Sequence, residues 1–551
     1  MEIARVLPAP QELMRSSWTI ADVAASALVF KLFDAGESPE DRGFERSSNV
    51  RKRPVEFGAI GYSDSDEVMI LDWRICSRAR LSRDARFDGK FFIAVRGSRV
   101  YCRSICPAPT AKEENCRYYP TAAAAAEAGY RPCLRCRPEC SPGTPAWLGT
   151  PSTVSRALRL IDESGLEDGG VELLAERLGV GSRHLRRLFL QHLGATPTAV
   201  AQTRRLQFAK KMIDETALPM KELALASGFG CVRRFNAAIR KAYHRTPTQI
   251  RHLARRDAGR LEDQYEFHLR FRPPYDWQGT LAFLAARVTQ GVEVVENDCY
   301  RRAISVEGNH GYIEVSIDEA HHSLIARVQF ESPRPLFSIS ERIRAMFDLN
   351  ADWASIMEGL GGDPALADGL RSSPGLRVPG CWDPFELAVR AILGQQITVK
   401  AATTLAGRIA AEFGQPYAGP AGITRIFPSP QVLAEANLAS VGMPRARAET
   451  IRRLARAVCD KKISFEHICD CDTFLSQLCE IPGIGQWTAQ YIAMRALREP
   501  DAFPSGDVAL LRALGLSNTQ ELQQRAEAWR PWRAYAVMCL WQETAQSKVK
   551  A

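Results

Sequence analysis

No stretch of this 551-residue chain carries about eighteen apolar side chains in unbroken succession, so no helix is expected to cross a membrane. The opening residues MEIARVLPAPQELMRSSW have no basic start leading into an apolar core, so no secretory signal is expected. A cytoplasmic location is the expectation. Glycine stands in a suggestive place, at Gly483 and Gly485 of IPGIGQWTAQYIAMRAL, but the partners of a nucleotide loop are missing. No Gly-Lys-Ser/Thr follows, which excludes a Walker loop. No strand leads in and there is no third glycine, which excludes a dinucleotide fingerprint. A lysine is missing as well: Trp487 follows the glycine turn almost directly, and an indole cannot form a Schiff base.

What is present begins with an ordinary soluble composition, 46% hydrophobic and 25% charged. The length exceeds what one core fills, and three or four domains are expected. The net charge of +9 is unevenly spread. Residues 151–260 hold 20 basic and 10 acidic side chains. Such a block favours a polyanion, most often nucleic acid, through counterion release. A solvated helical face competes with that reading until a motif decides.

Most of the 15 cysteines are scattered. Cys381, Cys459, Cys469, Cys471 and Cys539 read as small buried apolar residues, and disulfides are not expected in a reducing compartment. YCRSICPAPT and RPCLRCRPEC differ. They space Cys102, Cys106, Cys133 and Cys136 as C-x3-C and C-x2-C, and two such pairs can meet at one tetrahedral zinc. Spacing alone favours a structural staple for a module of about 70 residues with little core. Cys116 and Cys140 fall outside the pattern. The flanking SRDARFDGKFFIAVRGSRVYCRSICPAP and NCRYYPTAAAAAEAGYRPCLRCRPE resemble the N-terminal methyl-acceptor domain of the Ada adaptive-response regulators. The resemblance implies zinc on the four cysteines and makes Cys102 the acceptor of a methyl group from DNA methylphosphotriesters. Zinc keeps the sulfur a thiolate, the nucleophilic form. Methylating Cys102 would remove one of two net negative charges beside DNA and so raise affinity for the backbone. The acceptor is consumed, so the site counts lesions rather than turning over. Arg103, Arg117 and Arg131 are candidate phosphate contacts, with a solvated surface role as the alternative.

RPECSPGTPAWLGTP, residues 137–151, reads as a linker. Beyond it, VELLAERLGVGSRHLRRLFLQHLG gives a helix, a turn at Gly179 and a second, arginine-bearing helix; MKELALASGFGCVRRFNAAIRKAYHRTP repeats the plan with its turn at Gly228. A duplicated helix-turn-helix places two helices in successive stretches of major groove, and with the basic surplus it outweighs a plain bundle. The stretch resembles the AraC-type DNA-binding domain. Ser182, His184, Arg186, Arg187, Val232, Arg233 and Asn236 lie on the expected recognition helices.

A second linker is expected at 257–263. After it, YIEVSI and SLIARVQF alternate as strands do, and from about residue 340 the pattern turns helical. The glycine turn of the 481–497 stretch then reads as a helix–hairpin–helix, whose opening N–H groups face a phosphate. In FPSGDVALLRALG, Asp507 precedes an apolar run and in isolation reads as a helix N-cap. The span 264–545 resembles the AlkA-type 3-methyladenine DNA glycosylases, on FRPPYDWQGTLAFLAARV, LRVPGCWDPFELAVRAILGQQITV, PGIGQWTAQYIAMRAL and WRPWRAYAVMCLW. By that resemblance Asp507 is the catalytic carboxylate, and Phe283, Trp487, Tyr491 and Trp541 line the base pocket. Gly483 and Gly485 contact DNA, and Gln396 takes the position where the family inserts a leucine into the emptied stack. Base excision without strand cutting is implied, because Trp487 replaces the hairpin lysine. No Pro-Cys-His-Arg acceptor motif for O6-methylguanine is present.

The resulting expectation is a multidomain chain, mainly α with α+β parts. Its segments are an unassigned 1–68, a zinc methyl-acceptor module at 69–140, a tandem helix-turn-helix at 150–256, a sheet lobe at 264–350 and a helix–hairpin–helix glycosylase at 351–545. Residues 1–68 match no family, and Met69 is an alternative start. Zinc, double-stranded DNA and RNA polymerase are the expected cofactor and partners, with the chain a monomer. Two alternatives stand beside a fused sensor-regulator and glycosylase. One is a transcription factor whose glycosylase half only binds DNA, and the other is a glycosylase merely tethered by its N-terminal half.

Overall fold

The computed structural model describes residues 72–142, 152–164, 170–254, 264–465 and 471–550. Residues 1–68, most of the 137–151 linker and the 257–263 linker lie outside them. The fold is multidomain and mainly helical, with two substantial sheets. Among the described residues, no helix is long and apolar enough to cross a membrane.

The first module opens with α1 (Trp73–Leu81) and a four-stranded sheet of β1 (Phe92–Val95), β2 (Val100–Cys102), β3 (Cys116–Tyr119) and β4 (Arg131–Pro132), ordered β3-β1-β2-β4, with α2 (Ala122–Glu127) between β3 and β4. Its apolar clusters are small. Phe92, Ala94, Tyr101, Ala122, Ala125 and Tyr130 form one, and Cys76, Ala79, Phe91 and Ile93 another. The start of the expected linker is anchored rather than free. Arg137 adopts a left-handed φ of 53°, and Pro138 and Cys140 are buried. The reason is charge pairing. Arg137 pairs with Asp214 at 2.9 Å, and Glu139 accepts from Lys210 at 3.1 Å.

Seven helices follow: α3 (Ser152–Ser164), α4 (Gly170–Arg177), α5 (Ser182–Leu193), α6 (Pro197–Glu215), α7 (Met220–Ala226), α8 (Val232–Tyr243) and α9 (Pro247–Ala254). The turns break at Gly179 (φ 68°) and Gly228 (φ 71°), the left-handed backbone that glycine takes without penalty. The early part of α6 packs with α3 to α5 and with Ala123 and Ala124 of the zinc module. Its far end belongs to a different core: Phe208 meets Phe267 and Phe337 at ring-centroid distances of 6.3 and 5.0 Å. One helix thus joins the helix-turn-helix halves to separate neighbours.

The C-terminal half starts with β5 (Gln264–Arg270), α10 (Trp277–Ala285), β6 (Glu293–Glu296), β7 (Cys299–Val306), β8 (Asn309–Asp318) and β9 (Ser323–Phe330). These form an antiparallel sheet of order β5-β9-β8-β7-β6. Alternating burial along β8, with Gly311, Ile313 and Val315 inward, is what the sequence period of two requires. Helices α11 (Leu336–Met346), α12 (Trp353–Leu360), α13 (Ala367–Ser372), α14 (Pro384–Leu393) and α15 (Val399–Phe413) come next. A two-stranded pair, β10 (Gln415–Pro416) and β11 (Arg425–Ile426), interrupts the helical pattern. Then follow α16 (Pro430–Glu435), α17 (Arg445–Cys459), α18 (Cys471–Cys479), α19 (Gln486–Ala496), α20 (Val508–Leu514), α21 (Thr519–Ala526) and α22 (Arg533–Lys550). Among the lone cysteines, Cys539 is buried and Cys381 and Cys471 are half-buried, but Cys459, the last residue of α17, is exposed. Cys469 lies outside the described residues.

Candidate active site and DNA-facing elements

Asp507 is the residue immediately before α20, and its side chain caps that helix. Oδ1 accepts from the backbone N–H of Ala509 at 2.9 Å and of Leu510 at 3.1 Å. The same carboxylate accepts two indole N–H groups. Trp487 Nε1 donates to Oδ2 at 3.0 Å, and Trp541 Nε1 donates to Oδ1 at 3.3 Å. The cap and the indoles together fix a half-buried carboxylate against an aromatic wall. Trp487 stacks on Tyr491 at 5.4 Å with 10° between planes, and Tyr491 meets Trp541 at 6.1 Å. Trp487 and Tyr491 reach the wall together because they are four residues apart on α19, one helical turn.

Phe283 of α10 sits apart from this wall. It is buried, and its ring pairs with cations: Arg287 lies 3.7 Å and Arg495 4.9 Å from its centroid. Arg495 connects it to the wall by donating to the Tyr491 hydroxyl at 2.9 Å. The arginines at the Phe283 ring were not singled out by sequence reasoning. The one signal for Arg287 was its place four residues past Phe283, in the turn that follows α10. A cavity of about 140 Å³ lies elsewhere, lined by Glu139, Arg204, Gln207, Lys211 and Arg344 among others. None of the rings around Asp507 borders it, so its size carries no weight for the chemistry.

The hairpin between α18 and α19 turns at Gly483, whose φ of 99° and close approach to Thr450 exclude a side chain: a Cβ there would lie 2.1 Å from Thr450 Oγ1. Gly485 precedes α19 with open space around it, so the first N–H groups of the helix face outward without obstruction. Gln395 Nε2 ties the neighbouring loop to this turn, donating to the Gly483 carbonyl at 2.8 Å. That loop carries Gln396, exposed and left-handed at φ 58°. A polar side chain thus stands on the strained tip beside the hairpin.

On the helix-turn-helix units, the apolar sides of α5 and α8 are buried through Leu185, Leu188 and Phe189, and through Phe235, Ile239 and Tyr243. Their other sides carry exposed Arg183, His184, Arg186 and Arg187, and exposed Arg233 and Arg234; Ser182, Val232 and Asn236 are half-buried. Arg186 pairs with Glu172 at 2.6 Å on the surface, where solvent and salt screen the pair.

In the zinc module, strand pairing assembles the thiols. β2 and β4 run parallel, and Cys133 donates its N–H to the Tyr101 carbonyl at 2.9 Å, next to Cys102. The sulfurs of Cys102, Cys106, Cys133 and Cys136 all lie within 4.8 Å of one another. Four sulfurs about 2.3 Å from one ion need such spacing, so the set fits a tetrahedral thiolate zinc. Cys116 and Cys140 stay outside the set. Arg103 corrects the expectation of a phosphate contact. It is 3% exposed, pairs through two nitrogens with Asp88, and donates Nη1 to the Cys136 carbonyl at 3.0 Å. Its backbone N–H donates to Cys136 Sγ at 3.4 Å. Arg117 remains exposed and Arg131 half-buried. The carbonyl of the same Asp88 accepts from Arg272 Nε at 3.0 Å, and Lys90 pairs with Asp352 at 2.5 Å. The thiolate site is thus joined to the sheet lobe and α12 by buried polar contacts. Asp88→Ala is expected to strand the Arg103 charge and cost about 3–5 kcal/mol. The unfolding free energy from the denaturant transition of the zinc module reads this, and a value within about 0.5 kcal/mol of wild type would contradict it.

Comparison with known proteins follows the same division. Family descriptions match at 75–139 (metal binding domain of Ada), 174–252 (helix-turn-helix domain), 266–383 (AlkA N-terminal domain) and 389–533 (HhH-GPD superfamily base excision DNA repair protein). The chain is 34% identical over 279 residues to DNA-3-methyladenine glycosylase 2 of Escherichia coli (strain K12), covering 50% of this chain and 96% of that protein. Over 125 residues it is 37% identical to the bifunctional transcriptional activator/DNA repair enzyme Ada of the same strain, covering 23% of this chain and 34% of that one. A third relative spans nearly everything: the probable bifunctional transcriptional activator/DNA repair enzyme AlkA of Mycobacterium tuberculosis (strain CDC 1551 / Oshkosh) is 40% identical over 481 residues, 85% of this chain and 96% of that one. A thiolate module, paired helix-turn-helix units and a carboxylate-bearing glycosylase fold in one continuous match place this chain in the family of bifunctional AlkA transcriptional activator/DNA repair enzymes.

Proposed function

We propose that the chain removes alkylated bases such as 3-methyladenine and 7-methylguanine from duplex DNA, with Asp507 as the catalytic carboxylate, and senses methylphosphotriesters at Cys102. The observation that carries the first part is the Asp507 carboxylate, fixed by four N–H donors against Trp487, Tyr491 and Trp541. A purine alkylated at N3 or N7 is a cation and already a good leaving group. As its bond to C1′ breaks, the electron pair leaves with the base and the sugar becomes an oxocarbenium ion. Asp507 stabilises that charge while water adds to C1′. The base must first leave the stack, and an electron-rich wall favours a cation. Gln396 fills the gap left behind, and Gly483 and Gly485 present N–H groups to the phosphate. Trp487 offers no amine, so the strand stays whole. On duplex DNA carrying one methylated base, the protein is expected to leave an abasic site that breaks only after alkali; a strand cut before alkali contradicts this.

At Cys102, sulfur attacks the methyl carbon of the phosphotriester. An S–C bond forms, the C–O bond breaks, and the electron pair stays on the phosphate oxygen. Zinc, when bound, holds the four sulfurs as thiolates. The loss of negative charge strengthens DNA binding by the helix-turn-helix units, where Arg186, Arg187, Arg233 and Asn236 make the contacts and from which RNA polymerase is recruited. This reading divides the protomer at 69–140, 150–256, 264–350 and 351–545 and has it act as a monomer. Cys102→Ser is expected to take up no labelled methyl from phosphotriester DNA; uptake at the wild-type level leaves the N-terminal half a mere tether.

A further inference from the structure

Behind the aromatic wall lies a group of buried charges that does not balance. Arg302 donates to Glu293 at 3.1 Å and to Glu386 at 2.7 Å, and Arg390 donates to both carboxylates at 3.1 Å. Two cations and two anions cancel there. Arg287 and Arg495 are left over, because neither has a carboxylate partner among the described residues. Arg495 is 4% exposed and donates only to neutral oxygens: the carbonyls of Pro379 and Gly380, each at 2.8 Å, and the Tyr491 hydroxyl at 2.9 Å. Arg287 donates to the Phe283 carbonyl at 3.1 Å and lies over that ring. Arg495 is buried and Arg287 half-buried, and cations withdrawn from water without an anion are costly. The one acidic group they share is the phenol of Tyr491.

Resting on the base-excision reading, we propose that Tyr491 works as its phenolate and that this charge selects damaged purines that are cations over damaged bases that are neutral. With Tyr491 neutral, two unbalanced guanidinium groups stand behind the wall and oppose a cationic base. Ionised, it cancels one of them on the side nearest the base, and with Asp507 it completes a set of two cations and two anions. The groups that face Tyr491 are Arg495 from its own helix, Arg287 from the end of α10, Arg390 from α14 and Asp507 across the two indoles. Cys381 lies near Arg495 with Asp383 close by, and burial pushes its thiol up to about 12, so it supplies no anion. For Tyr491, burial alone would raise the phenol. Arg495 and then Arg287 outweigh it and bring the phenol down to about 8.

The test uses the full chain. The tyrosinate absorption band, followed from pH 6 to pH 10 in wild type and Tyr491→Phe, is expected to differ by one tyrosine ionising near pH 8. In Arg287→Met, which leaves Arg495 in place, that step moves upward. Excision is then compared on 3-methyladenine, a cation, and hypoxanthine, a neutral base. The wild-type to Tyr491→Phe rate ratio is expected to climb about tenfold through pH 8 for the first and stay flat for the second. Each substrate's own titration is common to both proteins and cancels in the ratio. No tyrosine missing from the low-pH step, or equal ratios for both substrates, overturns the proposal. Asp507→Asn separates the two readings. If it excises both bases at the wild-type rate, the parent reading fails, whereas an inactive Asp507→Asn beside flat Tyr491 ratios sinks the phenolate alone.

Discussion

Asp507→Asn is expected to lower the single-turnover rate of base release by about a thousandfold, roughly 4 kcal/mol of transition-state stabilisation, while leaving the melting temperature near that of wild type. The two halves of this expectation have separate causes. Asparagine caps a helix about as well as aspartate, so the bonds from Ala509 and Leu510 to Oδ1 persist. The Trp541 indole N–H keeps the amide oxygen at the Oδ1 position, while Trp487 Nε1 meets the amide NH2 in place of Oδ2 and gives up one hydrogen bond, a loss of about 1 kcal/mol that is small for a chain of this size. What disappears is the charge that meets the oxocarbenium ion. A fall in stability matching the loss of rate would make Asp507 a structural cap. An unchanged rate would remove Asp507 from the chemistry, whereas no base release by wild type itself would leave the C-terminal half a DNA-binding platform, the inactive alternative.

Removing the metal is the second large effect. The thiolate module has only small apolar clusters around its sheet, too little to hold a fold of this size alone. Structural zinc in thiolate sites contributes about 10–16 kcal/mol, as much as the whole stability of an ordinary domain. Cys136→Ser, or a strong chelator, is therefore expected to open residues 72–142 to protease. The C-terminal half stays resistant, because its core runs through its own sheet and helices. Cys136 is the telling choice, since its sulfur also accepts the Arg103 N–H and its carbonyl accepts the Arg103 guanidinium. A chelated protein with protease resistance intact across 72–142 would contradict the role assigned to the four cysteines.

Much of this was legible in the residues because the signals were local. Ligand spacing in Cys102, Cys106, Cys133 and Cys136 needs only short segments, and so does the glycine break between paired helices. The hairpin turn and the Asp507 cap lie close together in the chain. The missing parts were those that depend on packing between distant segments. Arg103 looked like a surface cation beside a thiolate, and nothing in its neighbourhood announces that Asp88 and the Cys136 carbonyl draw it inside. Phe283 read as a wall ring on the strength of its motif, which does not announce the two guanidinium groups, Arg287 and Arg495, that lie at its ring. Cys459 read as buried because cysteine usually is, whereas its helix turns it to solvent. The start of the expected 137–151 linker is held by Asp214 and Lys210, whose pairing no composition rule foresees.

The account depends on a carboxylate complementing a sugar that turns positive, and a duplex carrying a cationic pyrrolidine at the lesion position isolates that property without any chemistry taking place. Wild type is expected to bind it about a hundredfold more tightly than a duplex with a neutral tetrahydrofuran at the same place, and Asp507→Asn to lose that preference while binding the neutral duplex as before. Equal affinity of wild type for the two duplexes, or a preference that survives in Asp507→Asn, would contradict it.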